Sequence, residues 1–151
     1  GKRLPITTTQ ENTMRFMIIV KATADTEAGV MPEESLFAAM DEYHQELARA
    51  GVLLDGSGLH PTSKGWRIRY EGDANEKTDR RRVIDGPFAE TKELIAGYTL
   101  IQVRSREEAL EWTRRFPNPV GPGRDAEIEV RQLYELEDFP QTETVKRMRG
   151  I

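Results

Sequence analysis

The chain contains no cysteine and only two histidines among its 151 residues. The lack of cysteine excludes disulfides, thiolate metal ligands and a cysteine nucleophile. The two histidines, His44 and His60, form neither an HxH nor an HxxxH spacing. We therefore expect no bound metal and no cofactor.

Long apolar runs and an excess of positive charge are also missing. The longest apolar run, FMIIV, is far shorter than the roughly 20 residues that cross a bilayer. Lys and Arg number 22 against 26 Asp and Glu, so the net charge of −4 offers no attraction to nucleic acid or an anionic membrane. Because no apolar signal-peptide core is visible near the N-terminus, we expect a cytoplasmic location.

The sequence reads as one patterned domain between two unpatterned segments. Residues 1–13 are polar and aperiodic, which indicates a leader or an expression remnant ahead of a native start at Met14. Residues 14–139 carry the apolar periodicity of a folded domain, whose length suits a single core. Residues 140–151 are predicted to be a C-terminal tail without regular structure.

The spacing of apolar residues predicts two helices and six strands. The helices span 32–51, which Gly51 ends, and 106–116, which starts at the capping box of Ser105 and Glu108. The predicted strands are 14–22, 52–59, 66–70, 80–84, 94–104 and 127–136. The runs 66–70 and 80–84 form a hairpin, which we place at a sheet edge because it is rich in arginine.

Without that hairpin the order is β-α-β-β-α-β, which predicts an α+β protein with a ferredoxin-like sheet and two helices on one face. The other sheet face carries apolar side chains such as Met17, Ile19 and Tyr98. An uncovered apolar face needs a partner, and a two-fold homodimer is the simplest one. We therefore expect a homodimer.

The segment DGPFAE (85–90) has the composition of a turn. Asp85 accepts bonds from nearby amides, Gly86 permits unusual dihedral angles, and Pro87 stiffens the chain. Phe88 is then predicted to pin the turn to the core. A structural role is the first interpretation, and lining a pocket is a second one.

One long stretch, VIDGPFAETKELIAGYTLIQVRSREEALEWTRRFP (83–117), resembles the DGPF-type branch of the YCII-related proteins. MRFMIIVKA, LARAGVLLDGSGLHP and IEVRQLYELEDF fit the same branch, so the resemblance runs from Met14 to Phe139. It implies a ferredoxin-like fold that pairs into a dimeric α+β barrel. Most members of that branch have no assigned activity, whereas other YCII-like domains resemble ring-modifying or dehalogenating enzymes.

In the enzyme-like members, the resemblance implies a catalytic pair of a helix histidine and an aspartate. His44 falls at the position of that histidine, but Phe116 precedes Pro117 where those members have Asp-Pro. Asp85 is the preferred replacement acid, with Asp41 and Asp55 as alternatives, and the histidine would act as a general base. His44 also lies on the apolar stripe of its helix, which favours a packed, hydrogen-bonded side chain.

Two functions from different classes follow from these residues. The first is a homodimeric ligand-binding or regulatory module, and the second is a small-molecule acid–base enzyme of the lyase, isomerase or dehalogenase type that uses His44. A purely structural dimer is a third. The candidate ligand-binding residues are Tyr98, Arg69, His60 and Phe88. The substrate and the physiological partner are not predicted.

Overall fold

The computed structural model describes residues 12–150, and within them the protein is an α+β domain with antiparallel sheets and four helices. The predicted α+β class is therefore confirmed. Most of the predicted leader (1–13) lies outside the described residues, as does residue 151.

The secondary structure follows the predicted order with two additional short helices. The strands are β1 (Met14–Lys21), β2 (Leu53–Gly58), β3 (Trp66–Asp73), β4 (Thr78–Asp85), β5 (Ile95–Val103) and β6 (Ile128–Gln132). The helices are α1 (Ala24–Glu27), α2 (Glu34–Arg49), α3 (Arg106–Arg114) and α4 (Glu143–Arg149). Single 3-10 turns occupy Thr62–Lys64, Thr91–Glu93 and Leu136–Asp138.

The main sheet is antiparallel throughout and has the strand order β2-β5-β1-β6. β1 lies inside the sheet, as its run of β-branched and apolar residues predicts. Its register pairs Phe16 with Ile101 on β5 and Ile18 with Val130 on β6. Because side chains alternate along a strand, this register fixes which residues meet the helices.

The core lies between the main sheet and the helices α2 and α3. Its buried members are Phe16, Ile18, Tyr43, Leu47, Val52, Ile101, Val103, Ala109 and Phe116. Tyr43 joins the two helices, because its hydroxyl donates to the Trp112 carbonyl at 2.7 Å and its ring meets Phe116 edge-on at 5.3 Å between centroids. Gly51, with φ of 74°, ends α2 in the left-handed conformation that the sequence predicts.

The opposite face of the main sheet carries a second set of apolar side chains. Met17 pairs with Leu100 and Ile19 with Tyr98, and all four side chains are half-buried. We call these four residues the open face. No helix within residues 12–150 has the length and apolarity needed to cross a membrane.

Three features differ from the sequence-based expectation. The hairpin β3–β4 forms a separate two-stranded sheet instead of an edge of the main sheet. α1 and α4 were not predicted, since helices of four and seven residues are too short to show periodicity. Their caps are nevertheless in the sequence: Thr23 bonds the Thr26 amide, and Thr142 bonds the Val145 amide.

Burial raises the pKa of Tyr43 to about 12, because the phenolate would lose its hydration in the core. The unfolded chain ionises near pH 10 while the folded chain keeps its proton, so the free energy of unfolding falls as pH rises from about 10 to about 12. We expect Tyr43→Phe to destabilise the protein by about 1–2 kcal/mol near pH 9, where the Trp112 carbonyl loses its donor. Near pH 11.5 this deficit should shrink or reverse. Urea unfolding at both pH values measures it.

The matched control is Tyr134→Phe, because Tyr134 is exposed after β6. We expect that change to have the same small effect at both pH values. A Tyr43→Phe deficit that is independent of pH would contradict the raised pKa.

Candidate functional site

The DGPF turn packs directly on the 3-10 turn at Thr62–Lys64. The Gly86 amide donates to the Gly65 carbonyl at 3.0 Å, and the Phe88 amide donates to the Thr62 hydroxyl at 3.0 Å. A Cβ atom on Gly86 would lie 1.8 Å from the Thr62 carbonyl oxygen. Only glycine fits at this position, because the obstacle is backbone that cannot move aside.

Thr62 connects the DGPF turn to helix α1. Its amide donates to Glu27 Oε1 at 3.1 Å, and its hydroxyl donates to the other oxygen of the same carboxylate. The hydroxyl oxygen then accepts from Phe88. One side chain therefore holds three segments that lie far apart in sequence.

Phe88 is also covered by the base of the hairpin. The Arg67 guanidinium lies 3.7 Å from the centroid of the Phe88 ring, within the range of a cation–π contact. We call the hairpin of residues 66–85 the arm. Its root is made of the Gly65–Gly86 bond and the Arg67–Phe88 contact, so the DGPF turn fixes where the arm leaves the domain.

His44 faces the main sheet, and each of its ring nitrogens has a partner. Nδ1 lies 2.8 Å from the Met40 carbonyl, and Nε2 lies 2.8 Å from the Thr99 hydroxyl. Because a carbonyl only accepts, Nδ1 carries the proton in the neutral ring and Nε2 accepts from Thr99. Thr99 is buried, with 2% of its surface exposed, so the Nε2 lone pair points at protein and away from solvent.

The candidate acidic partners of His44 make their hydrogen bonds to other residues. Asp55 accepts the Tyr98 hydroxyl at 2.9 Å and the Gly56 amide at 2.8 Å, and Asp41 accepts the Gln45 amide at 2.7 Å. Asp85 is exposed at the end of β4. Within residues 12–150 the structure brings no carboxylate to a ring nitrogen of His44.

The four candidate ligand-binding residues are placed in four different surroundings. Tyr98 is half-buried on the open face beside Asp55. Arg69 is exposed on the arm opposite Arg82, His60 is exposed in the loop after β2, and Phe88 lies under Arg67. The structure therefore gives Tyr98 and Phe88 specific partners and does not gather the four into one site.

Sequence reasoning missed Thr62, Thr99 and Glu27, which make the contacts described above. The strict alternation along β5 was the available signal for Thr99, because it places this residue on the same face as the buried Ile101. No pattern marked Thr62, whose partners Glu27 and Phe88 are 35 and 26 residues away.

Ion pairs lie at both ends of the open face. At one end Arg15 binds Glu135, with 2.7 Å between Nη2 and Oε1, and hydrogen bonding to this carboxylate raises the pKa of Arg15. At the other end Lys21 binds Glu129 at 3.1 Å, which lowers the pKa of Glu129, and Arg131 supports the same carboxylate. The open face is thus an apolar centre between charged ends, as in protein interfaces with a polar rim.

Two clefts on the described surface are lined by residues other than His44. A polar cleft of about 220 Å³ lies beside Arg15, Gln102 and Glu135, and a second of about 260 Å³ lies beside Phe116 and Ile128. The described residues also contain no group of three His, Cys, Asp or Glu side chains that could hold a metal ion.

Comparison with known proteins identifies the family of this chain. The family model described as the YCII-related domain matches residues 14–136. An uncharacterized protein of Rhizobium meliloti (strain 1021) is 31% identical over 108 residues, which cover 72% of this chain and 82% of that protein. The chain therefore belongs to the YCII-related domain family.

Replacing Thr62 by valine tests its connecting role. Thr62→Val keeps the shape but leaves the Phe88 amide without an acceptor and removes the hydroxyl bond to Glu27, so we expect a loss of about 1–3 kcal/mol in the free energy of unfolding. Urea unfolding provides the measurement. The control is Ser63→Ala at the exposed neighbouring position, which should change stability little. Equal effects of the two substitutions would contradict the connecting role.

The bonds of His44 predict its tautomer. We expect nitrogen-15 NMR to find the neutral His44 ring protonated at Nδ1, because the Met40 carbonyl requires a donor there. The exposed His60 serves as the internal reference. A ring protonated at Nε2 would show that the arrangement of Met40, His44 and Thr99 is different in solution.

Proposed function

We propose that this protein is a homodimeric ligand-binding or regulatory module of the DGPF branch of the family. In this proposal each protomer is ferredoxin-like, and two protomers pack their open faces together to form a dimeric α+β barrel. The strand order β2-β5-β1-β6 supports the ferredoxin-like assignment, and the DGPFAETKE segment supports the branch.

The observation that carries the proposal is the large surface of the single chain. The protein exposes 12083 Å². A compact monomer of 17.2 kDa exposes about 7,800 Å². Even if the residues outside 12–150 had the area of an unfolded chain, about 2,000 Å², an excess of about 2,300 Å² remains. One protomer of an obligate homodimer buries about 1,000–2,500 Å².

The side chains of the open face favour a ligand of a particular kind. Met17, Ile19 and Leu100 would give a chamber between two sheets an apolar wall. The bonded pair of Tyr98 and Asp55 would supply polar groups at its side. This combination fits a small molecule with an apolar body and one hydrogen-bonding group.

Acid–base chemistry at His44 is the second candidate, and one observation favours it. The bond to Met40 leaves Nε2 as the nitrogen with a lone pair, which is the form a general base requires. The Thr99 hydroxyl would have to be displaced, and a carboxylate such as Asp85 would have to approach, before this nitrogen served a substrate. The satisfied bonds of His44 therefore support the binding module more strongly.

Leu100→Asp tests the proposed dimer. This substitution puts a charge at the centre of the open face, where a buried interface would have no partner for it. We expect the unchanged protein to sediment as a dimer and Leu100→Asp to sediment as a folded monomer. Leu110→Asp is the matched control, because Leu110 is exposed on α3, and it should leave the dimer intact.

The same samples test the ligand site. An apolar chamber should bind the dye 1-anilinonaphthalene-8-sulfonate at a fixed stoichiometry in the native dimer and in Leu110→Asp, and this binding should be lost in Leu100→Asp. A native protein that sediments as a monomer at micromolar concentration contradicts the dimer. A native dimer without dye binding contradicts the chamber and leaves the dimer in place.

A further inference from the structure

The arm is separate from the rest of the chain. β3 and β4 pair only with each other, and all but one of the sixteen residues in these strands are exposed, Ile84 being half-buried. An isolated two-stranded hairpin is marginally stable in water. The root holds its base, but nothing within residues 12–150 packs on its length.

The two faces of the arm differ in character. The register pairs Ile68 with Val83 and Arg69 with Arg82, so most of the apolar residues and most of the basic residues lie on opposite faces. The exceptions are Ile84, which lies opposite Arg67, and Arg81, which lies opposite Tyr70 with its guanidinium 4.8 Å from the centroid of that ring. The basic face suits water, and Arg82 makes an ion pair with Glu71 there at 3.0 Å. On the apolar face four large side chains are exposed: Trp66 at 64%, Ile68 at 41%, Tyr70 at 59% and Val83 at 66%. We call these four residues the arm row.

Resting on the homodimer proposed above, we propose that the arm row of each protomer packs on the second copy of the chain. The excess surface area of the single chain favours a second copy as the partner of the arm row. The open-face side chains are already half-buried in the single chain and supply only part of the excess of about 2,300 Å². The side chains of the arm row are more exposed than those of the open face, and a two-fold dimer contains two arm rows, one from each protomer.

The dimensions of the arm agree with this assignment. Strands of eight residues reach about 27 Å at about 3.4 Å per residue. The radius of gyration of a compact domain of this length is about 15 Å. An arm fixed at its root is therefore long enough to contact a second copy of the chain packed against its own domain. Its two exposed aromatic residues are of the kind that dominates binding energy at interfaces.

Fluorescence of Trp66 reports directly on this contact. The chain has two tryptophans, so Trp112→Phe leaves Trp66 as the single emitter. Acrylamide quenching is measured at a concentration where sedimentation finds the dimer, and again after dilution to the monomer. We expect Trp66 to be protected from acrylamide in the dimer and accessible after dilution.

A pair of arm variants measures what the contact contributes. Ile68→Thr combined with Val83→Thr keeps β-branched residues in the hairpin but makes the arm row polar, and we expect the dimer dissociation constant to rise about tenfold or more. Arg69→Thr is the matched control on the opposite face and should leave the constant unchanged. Circular dichroism checks that each variant is folded, and the Trp66 quenching result does not depend on these substitutions.

Each outcome separates the arm from the dimer itself. If the native chain is a monomer, both proposals fail. If it is a dimer in which Trp66 is as accessible as after dilution, the arm contact fails and the dimer stands. If Trp66 is protected after dilution as well, the arm packs on its own chain and the inference is overturned.

Discussion

The antiparallel pairing of β1 with β5 is the constraint on which the rest of the structure depends. It runs over the whole of β1, from Met14 opposite Val103 to Lys21 opposite Ile95. Since neighbouring side chains alternate, this one register sends Ile18 and Ile101 into the core and leaves their neighbours on the open face. A shift by one residue would exchange the two faces, so the core and the proposed interface are specified together.

The long, periodic segments were predictable because their pattern is set by burial on one side. β1, β5 and α2 lie within two residues of their predicted bounds, and Gly51 ends α2 as its conformational freedom suggests. The separate position of the arm was not predictable, because an alternating hairpin has the same pattern at a sheet edge and in isolation. α4 was missed since a seven-residue helix with one buried side chain, Val145, leaves no stripe to detect.

The candidate site was predictable only in part. A turn at Asp85–Phe88 followed from local chemistry, whereas its partner Thr62 depends on a contact between distant segments. Likewise His44 was placed on the inner side of its helix by periodicity, but its bond to Thr99 required the packing of α2 on β5. Local preferences reveal which residues have unusual roles, and only the tertiary structure reveals what they touch.

The root of the arm has one more consequence. The chain leaves the domain after Gly65 and returns at Gly86, and the backbones of these two glycines are hydrogen-bonded at 3.0 Å. The intervening twenty residues therefore form an insertion whose ends are already joined. A short linker could replace them without changing the order of the main sheet, because the two ends of the arm are already adjacent.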